Sequence, residues 1–186
     1  MIRIGILGDI GSGKTYVANN FGYPVFNADH EVSKLYKKDK KTFNKLKKIL
    51  PKYFISFPIK KSQVSKAILA NRNNLRKIVK IVHLEIRKKM NIFIKKNKNK
   101  KIIILDIPLL LENKINKKND VLIFVKSKRS EILKRLKNRE SFNKKLLNEF
   151  KNIQLPLDYK KKKSTFIIKN NFKKKSVRKD IKNILK

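Results

Sequence analysis

The sequence contains no cysteine and no tryptophan, and it has only five glycines and five prolines in 186 residues. Without cysteine the chain can form neither a disulfide framework nor a thiolate metal site. No apolar run approaches the roughly 20 residues of a membrane-spanning helix. The apolar stretch at residues 2–7 is also too short for a signal peptide. These absences predict a soluble, cytoplasmic protein that has no membrane partner.

Acidic residues are scarce: 13 of them face 51 basic residues, which gives a formal net charge of +38. Such a charge attracts polyanions, and nucleic acid is the first partner to consider. However, the lysine runs at 160–163 and 173–175 are not interleaved with aromatic side chains, as a single-strand binding surface requires. We therefore interpret these runs as mostly solvated surface and do not expect a nucleic-acid partner. The positive field would instead speed the encounter with small anionic substrates.

Apolar runs and helical patterns alternate along the chain, and apolar residues make up 40% of it. Runs typical of strands lie at residues 1–7, 24–27, 102–106, 121–125 and 166–168. Between and after them, apolar residues at helical spacing predict helices at 16–21, 75–93, 132–136, 142–153 and 177–185. This order predicts an α/β fold, a five-stranded parallel sheet flanked by helices, in a single domain spanning residues 1–186.

One motif carries a specific chemistry. Gly8-x-x-x-x-Gly13-Lys14-Thr15 matches the phosphate-binding pattern G-x-x-x-x-G-K-[ST] and lies between a predicted strand and a predicted helix. Glycines let backbone N–H groups surround an anion, the lysine reaches the β- and γ-phosphates, and the threonine hydroxyl binds Mg²⁺. We therefore expect an ATP site rather than a glycine-rich turn without function. The expected ATP-binding residues are Gly8, Gly11, Ser12, Gly13, Lys14, Thr15 and Tyr16.

Two aspartates follow predicted strands, at the edge of a parallel sheet where ligands bind. Asp29 is either the N-cap of the next helix or a general base that accepts the proton of an attacking hydroxyl, and we favour the base. Asp106 either organises Mg²⁺ together with Thr15 or merely ends its strand.

Three other residues also allow more than one interpretation. Glu112 could cap a helix or contact a ligand, and His83, at the edge of the apolar stripe 75–93, is by default a packed, hydrogen-bonded histidine. Arg139 lies one helical turn after Arg135. The two arginines could form a solvated face, or Arg139 could close over the nucleotide and neutralise transition-state charge.

Together these segments resemble the dephospho-coenzyme A kinase family over nearly the whole chain. The family pattern contains a phosphate loop followed by Val-Ala, an Asp-Ala-Asp signature, a His-Pro step, Pro-Leu-Leu-Phe-Glu, a lid arginine, a later glutamine and a final Val-Ile-x-Asn strand. The similar segments here are 8–18, 27–29, His83, 108–112, Arg139, Gln154 and 167–170. The chain departs from the pattern at Asp9, Asn27 and Leu84, where the family has glycine, aspartate and proline.

The resemblance implies an enzyme that phosphorylates the ribose 3′-hydroxyl of dephospho-coenzyme A with ATP and Mg²⁺, in the last step of coenzyme A synthesis. It also implies a nucleotide core, a helical substrate lobe at about 31–100 and a lid at about 138–163. Lys14, Asp29 and Arg139 would be catalytic, and Asp29, His83, Asp106 and Glu112 would bind the acceptor.

Two alternatives remain open from the sequence. Another P-loop kinase of small molecules, such as a nucleoside or nucleoside-monophosphate kinase, would share the loop and lid but lack the set formed by 27–29, His83 and 108–112. A basic nucleic-acid-binding protein with a vestigial P-loop is the second alternative, because of the net charge. The oligomeric state is open as well, with a monomer as the expectation.

Overall fold

The computed structural model describes residues 1–138 and 142–186. Its sheet contains five strands, all paired in parallel, in the spatial order β2-β3-β1-β4-β5. The strands are β1 Ile2–Gly8, β2 Val25–Asn27, β3 Ile102–Asp106, β4 Val121–Lys126 and β5 Phe166–Lys169. The predicted five-stranded parallel sheet is therefore confirmed. Strands β1, β3 and β4 are mostly apolar, as is typical of strands buried on both faces of a sheet, and their charged residues are Arg3, Asp106 and Lys126.

Helices connect and flank the strands. They are α1 Lys14–Asn19, α2 Ala28–Lys38, α3 Lys40–Ile49, α4 Lys61–Ala70, α5 Arg72–Lys96, α6 Arg129–Lys137, α7 Lys144–Asn152, α8 Leu157–Lys162 and α9 Lys174–Ile184. The predicted helix at 142–153 corresponds to α7, and a separate short helix, α8, follows Pro156. The stripe at 75–93 lies within α5, where Leu75, Ile78, Val82, Ile86 and Met90 are buried.

The chain divides into two compact units. The sheet unit comprises Met1–Asn27, Lys96–Phe142 and Ile153–Lys186, and it contains all five strands. Its core on one face of the sheet joins isoleucines of β1, β3 and β4 to apolar side chains of α1 and α9. The members from the two helices are Val17, Ala18, Val177 and Ile181. The core thus fixes α1, and with it the loop that precedes α1, against the sheet.

The helical unit comprises Ala28–Lys95 and Asn143–Asn152. Burial in this unit raises the pKa of Tyr36 to about 12. A hydrogen bond from Lys45 lowers the pKa of Glu85, which also forms an ion pair with Lys88 on α5. Within residues 1–138 and 142–186, no helix is long and apolar enough to cross a membrane.

Candidate active site

The motif at residues 8–15, called the phosphate loop from here on, begins where β1 ends and reaches into the first turn of α1. Gly13 has a φ of 86°, and a Cβ at this position would collide with Nδ2 of Asn170. Both the backbone conformation and the space therefore require glycine here. The Nζ atom of Lys14 donates to the carbonyl oxygens of Gly8, at 3.3 Å, and of Asp9, at 2.8 Å. The lysine thus lies over the loop whose anion it is expected to bind.

Asp9 introduces a carboxylate into this loop. Its Oδ1 accepts the backbone N–H of Ile10 at 2.7 Å. This local bond holds one carboxylate oxygen against the loop backbone, because a short aspartate side chain readily bonds to the next peptide N–H. The carboxylate at this departure from the family pattern is thus hydrogen-bonded within the loop.

Thr15, Asp106 and Asn27 form a hydrogen-bonded cluster at the carboxyl ends of β2 and β3. The hydroxyl of Thr15 donates to Oδ2 of Asp106 at 2.6 Å, and Nδ2 of Asn27 donates to the same oxygen at 2.8 Å. Strand register explains the contact between Asn27 and Asp106, since these residues are direct partners in the β2–β3 pair. Asp106 is only 3% exposed. The structure thus brings together the two residues that the sequence suggested as magnesium ligands.

The donor set of this cluster suits Mg²⁺. A threonine hydroxyl and an aspartate carboxylate are hard oxygen ligands, and Mg²⁺ is commonly held by one or two protein oxygens together with substrate phosphates and water. Among the described residues, no group of three or more histidine, cysteine, aspartate or glutamate side chains could hold a metal by itself. The fit therefore favours a metal that arrives with a nucleotide over a resident structural ion.

The contacts of the side chains behind the loop were not predicted from the sequence, which offered only a solvated face for Arg135. Nδ2 of Asn170, just after β5, and Oγ of Ser127, just after β4, both donate to the carbonyl oxygen of Ser12 at 2.8 Å. The guanidinium of Arg135 lies 4.1 Å from the centroid of the Phe172 ring. Asn170 matched the family pattern by position, and this was the only signal for it in the sequence.

Glu112 lies in the turn after β3 and is bonded within the sheet unit. Its Oε1 is 2.7 Å from Nζ of Lys160 and accepts the backbone N–H of Leu155 at 3.0 Å. Lys160 is 1% exposed and also donates to Gln154. The interpretation of residues 160–163 as solvated surface is therefore wrong for Lys160, because the carboxylate of Glu112 compensates the buried charge.

This buried ion pair yields a stability prediction. Lys160→Met keeps most of the aliphatic stem but leaves Glu112 without its cation, so we expect the free energy of unfolding to fall by about 3 kcal/mol or more. Urea denaturation would measure the change. The double variant Lys160→Met, Glu112→Gln should recover much of the loss, and Lys161→Met, at an exposed neighbour, should lose little. An equal loss in the single and double variants would contradict the ion-pair account.

Asp29 and His83 belong to the helical unit. Helix α2 already begins at Ala28, so Asp29 lies inside its first turn. The interpretation of Asp29 as an N-cap is therefore wrong, because the N-cap is the residue that precedes the first helical one. His83 is half-buried on α5. The prediction for Arg139 lies outside the described residues.

Comparisons with known proteins agree with this geometry. The family model for dephospho-CoA kinase matches residues 2–176. A dephospho-CoA kinase of Wolbachia pipientis wMel is 35% identical to this chain. The match covers 98% of this chain and 95% of the Wolbachia protein. Solved structures show the same fold: the crystal structure of TT1252 from Thermus thermophilus has a TM-score of 0.77 at 23% identity, and the match covers 99% of this chain and 96% of that chain. Dephospho-CoA kinase from Campylobacter jejuni has a TM-score of 0.56 at 22% identity, covering 98% and 95%. The chain therefore belongs to the dephospho-CoA kinase family.

Proposed function

We propose that this chain transfers the γ-phosphoryl group of ATP to the ribose 3′-hydroxyl of dephospho-coenzyme A, giving coenzyme A and ADP in the last step of coenzyme A synthesis. The observation that carries the proposal is the phosphate loop with the Thr15–Asp106 contact of 2.6 Å beside it. This arrangement supplies an anion cradle and a pair of hard oxygen ligands in one place. Membership of the family, matched over residues 2–176, supports the acceptor.

The phosphates would be bound mainly by the loop. Its backbone N–H groups and the N-terminus of α1 favour negative charge. Lys14 would move from the carbonyl oxygens of Gly8 and Asp9 to the β- and γ-phosphates. Thr15 and Asp106 would hold Mg²⁺, which, when bound, neutralises charge that develops on the phosphates. The remaining loop residues and Tyr16 complete the proposed ATP site.

Asp29 is the proposed general base. A ribose hydroxyl is a weak nucleophile, and a carboxylate within hydrogen-bond reach can orient it and accept its proton as the new bond forms. The family resemblance supports this role, and it also supports His83, Asp106 and Glu112 as acceptor contacts and Arg139 as the lid arginine. We propose in addition that the enzyme is cytoplasmic and monomeric and that nucleic acid is not its physiological partner.

The acceptor can be tested with a panel of candidate substrates. ADP release with dephospho-coenzyme A should far exceed release with adenosine, AMP or shikimate, because only the correct acceptor places a hydroxyl next to the base and the γ-phosphate. A coupled assay of ADP formation measures this, with Lys14→Ala as the blank for contaminating activity. Equal or better turnover of AMP would assign the chain to the nucleoside-monophosphate kinases instead.

The same preparation tests the nucleic-acid alternative. A polyanion binder should lose affinity steeply with salt, with a logarithmic slope of about 0.9 per phosphate contacted on duplex DNA. Phosphorylation of a small acceptor requires no such dependence on salt concentration. Tight duplex binding with this slope, in a protein that releases no ADP with any acceptor, would contradict the kinase proposal.

A further inference from the structure

We propose that Asn170 is a positioning residue for nucleotide binding, which fixes the orientation of the Ser12–Gly13 peptide of the phosphate loop. The inference rests on the proposed function only in that it assumes a nucleotide at this loop. It requires neither a particular acceptor nor a particular base. Asn170 lies at the end of β5, far from the loop in sequence, and it is 1% exposed.

Both ends of the Asn170 amide are engaged. Nδ2 donates to the carbonyl oxygen of Ser12 at 2.8 Å, and Oδ1 accepts the backbone N–H of Phe172 at 2.9 Å. The backbone N–H of Asn170 in turn donates to the carbonyl oxygen of Lys126 at 2.8 Å. These bonds leave the side chain a single orientation, because rotating the amide would put like groups against each other at two places.

The carbonyl oxygen of Ser12 accepts hydrogen bonds from two side chains, those of Asn170 and Ser127. Ser127 adds its hydroxyl at 2.8 Å, so the two lone pairs of this oxygen can both be used. Ser127 follows β4 and Asn170 follows β5, and these two strands are neighbours in the sheet. The sheet therefore determines where the Ser12 carbonyl points.

The direction of the carbonyl also determines the direction of the next N–H. In a trans peptide the C=O and N–H bonds point in opposite directions. With the Ser12 oxygen directed at Asn170 and Ser127, the N–H of Gly13 is directed away from them, towards the side on which a phosphate-loop amide meets a phosphate oxygen. Gly13 is the residue that immediately precedes α1.

Close packing prevents the peptide from turning. A Cβ at Gly13 would collide with Nδ2 of Asn170 and would come within 2.9 Å of the Phe172 ring. Phe172 itself has a φ of 61° and lies beneath the Arg135 guanidinium. Asn170 and Phe172 therefore pack closely against Gly13, and a change at Asn170 would loosen this packing.

Two substitutions separate positioning from a merely structural role. Asn170→Asp keeps the acceptor for the Phe172 N–H but replaces the donor to Ser12 with an oxygen that repels the carbonyl. Asn170→Ala removes both bonds. If the bond to Ser12 orients the loop, both variants should raise the Kd of Mg-ADP by about tenfold or more. Because the new carboxylate of Asn170→Asp also repels the ADP phosphates, the uncharged variants decide: if Asn170 and Ser127 only stabilise local structure, Asn170→Ala and Ser127→Ala should bind Mg-ADP like the wild type.

Isothermal titration with Mg-ADP and the KM for ATP provide the readouts, with Tm recorded for each variant. Asn171→Ala is the matched control: Asn171 is exposed, and its side-chain oxygen accepts hydrogen bonds from the Lys173 N–H and the Ser176 hydroxyl. We expect it to lower Tm without changing the Kd. Ser127→Ala, which removes the second donor at a half-buried site, should raise the Kd by about threefold, and it keeps the test decisive if the Asn170 variants do not fold.

Wild-type affinity in Asn170→Ala, or in Ser127→Ala where the Asn170 variants do not fold, would overturn the proposal, as would an equal loss of affinity in Asn171→Ala. ADP binding involves no acceptor, so an error in the assigned acceptor would leave the expected result unchanged. Failure of the proposed function would appear instead in the acceptor panel, with ADP affinity intact.

Discussion

Lys14→Ala is expected to lower ATP-dependent turnover by about 10²–10³-fold or more, the scale of losing one preorganised group that stabilises transition-state charge. Nζ of Lys14 contacts the loop carbonyls of Gly8 and Asp9, and the phosphates are expected to replace these weak acceptors. The side chain is only partly buried, so the fold should remain intact. Steady-state rates of ADP release, together with Tm, measure the two effects separately.

A charge-matched control makes this result specific. Lys179 is an exposed lysine of α9 in the same unit, and Lys179→Ala removes the same charge from the same protein. Its turnover should remain close to that of the wild type, because one charge among 51 basic residues changes the long-range field little. Wild-type-like activity in Lys14→Ala would be incompatible with a kinase at this loop.

Strands and the long helix were predictable because their signals are local. β1, β3 and β4 are mostly apolar runs, as is typical of strands buried on both faces, and α5 shows its buried stripe as a period of three and four. The spatial order of the strands was not predictable from the runs, since pairing depends on contacts between distant segments. The helix predicted to start at Asp29 corresponds to α2, whereas α3 and α4 were not predicted as separate helices.

The residues of the candidate site also fall into those that could be predicted from the sequence and those that could not. The phosphate loop is a contiguous motif, and Thr15 and Asp106 could be suggested as partners because strand ends meet at one edge of a parallel sheet. The roles of Asn170 and Lys160 could not be predicted, because each depends on one hydrogen-bond partner elsewhere in the chain. Nothing in a run of lysines distinguishes the one that is buried against a carboxylate.

Asp29→Asn is expected to lower kcat by about 10²-fold or more, the usual scale for losing a positioned base. The substitution preserves the shape of the side chain and removes only the charge. Asp29 lies in the first turn of α2, and losing its favourable interaction with the helix dipole accounts for about 1 kcal/mol of stability. ATP affinity should stay near normal, since the phosphates are assigned to Lys14 and the loop backbone. Stopped-flow or steady-state kcat and Tm are therefore the informative pair.

Glu31 provides the control for Asp29, because it is the other acidic residue in the first turn of α2. It forms ion pairs with Lys34 at 2.8 Å and Lys89 at 3.5 Å, so Glu31→Gln should lower Tm measurably. Its kcat should nevertheless remain unchanged, because only one of the two carboxylates is assigned to the hydroxyl proton. A lowered Tm with unaltered kcat in Asp29→Asn would limit Asp29 to a helix-stabilising role. The base would then have to be sought elsewhere, with Asp106 as the next candidate.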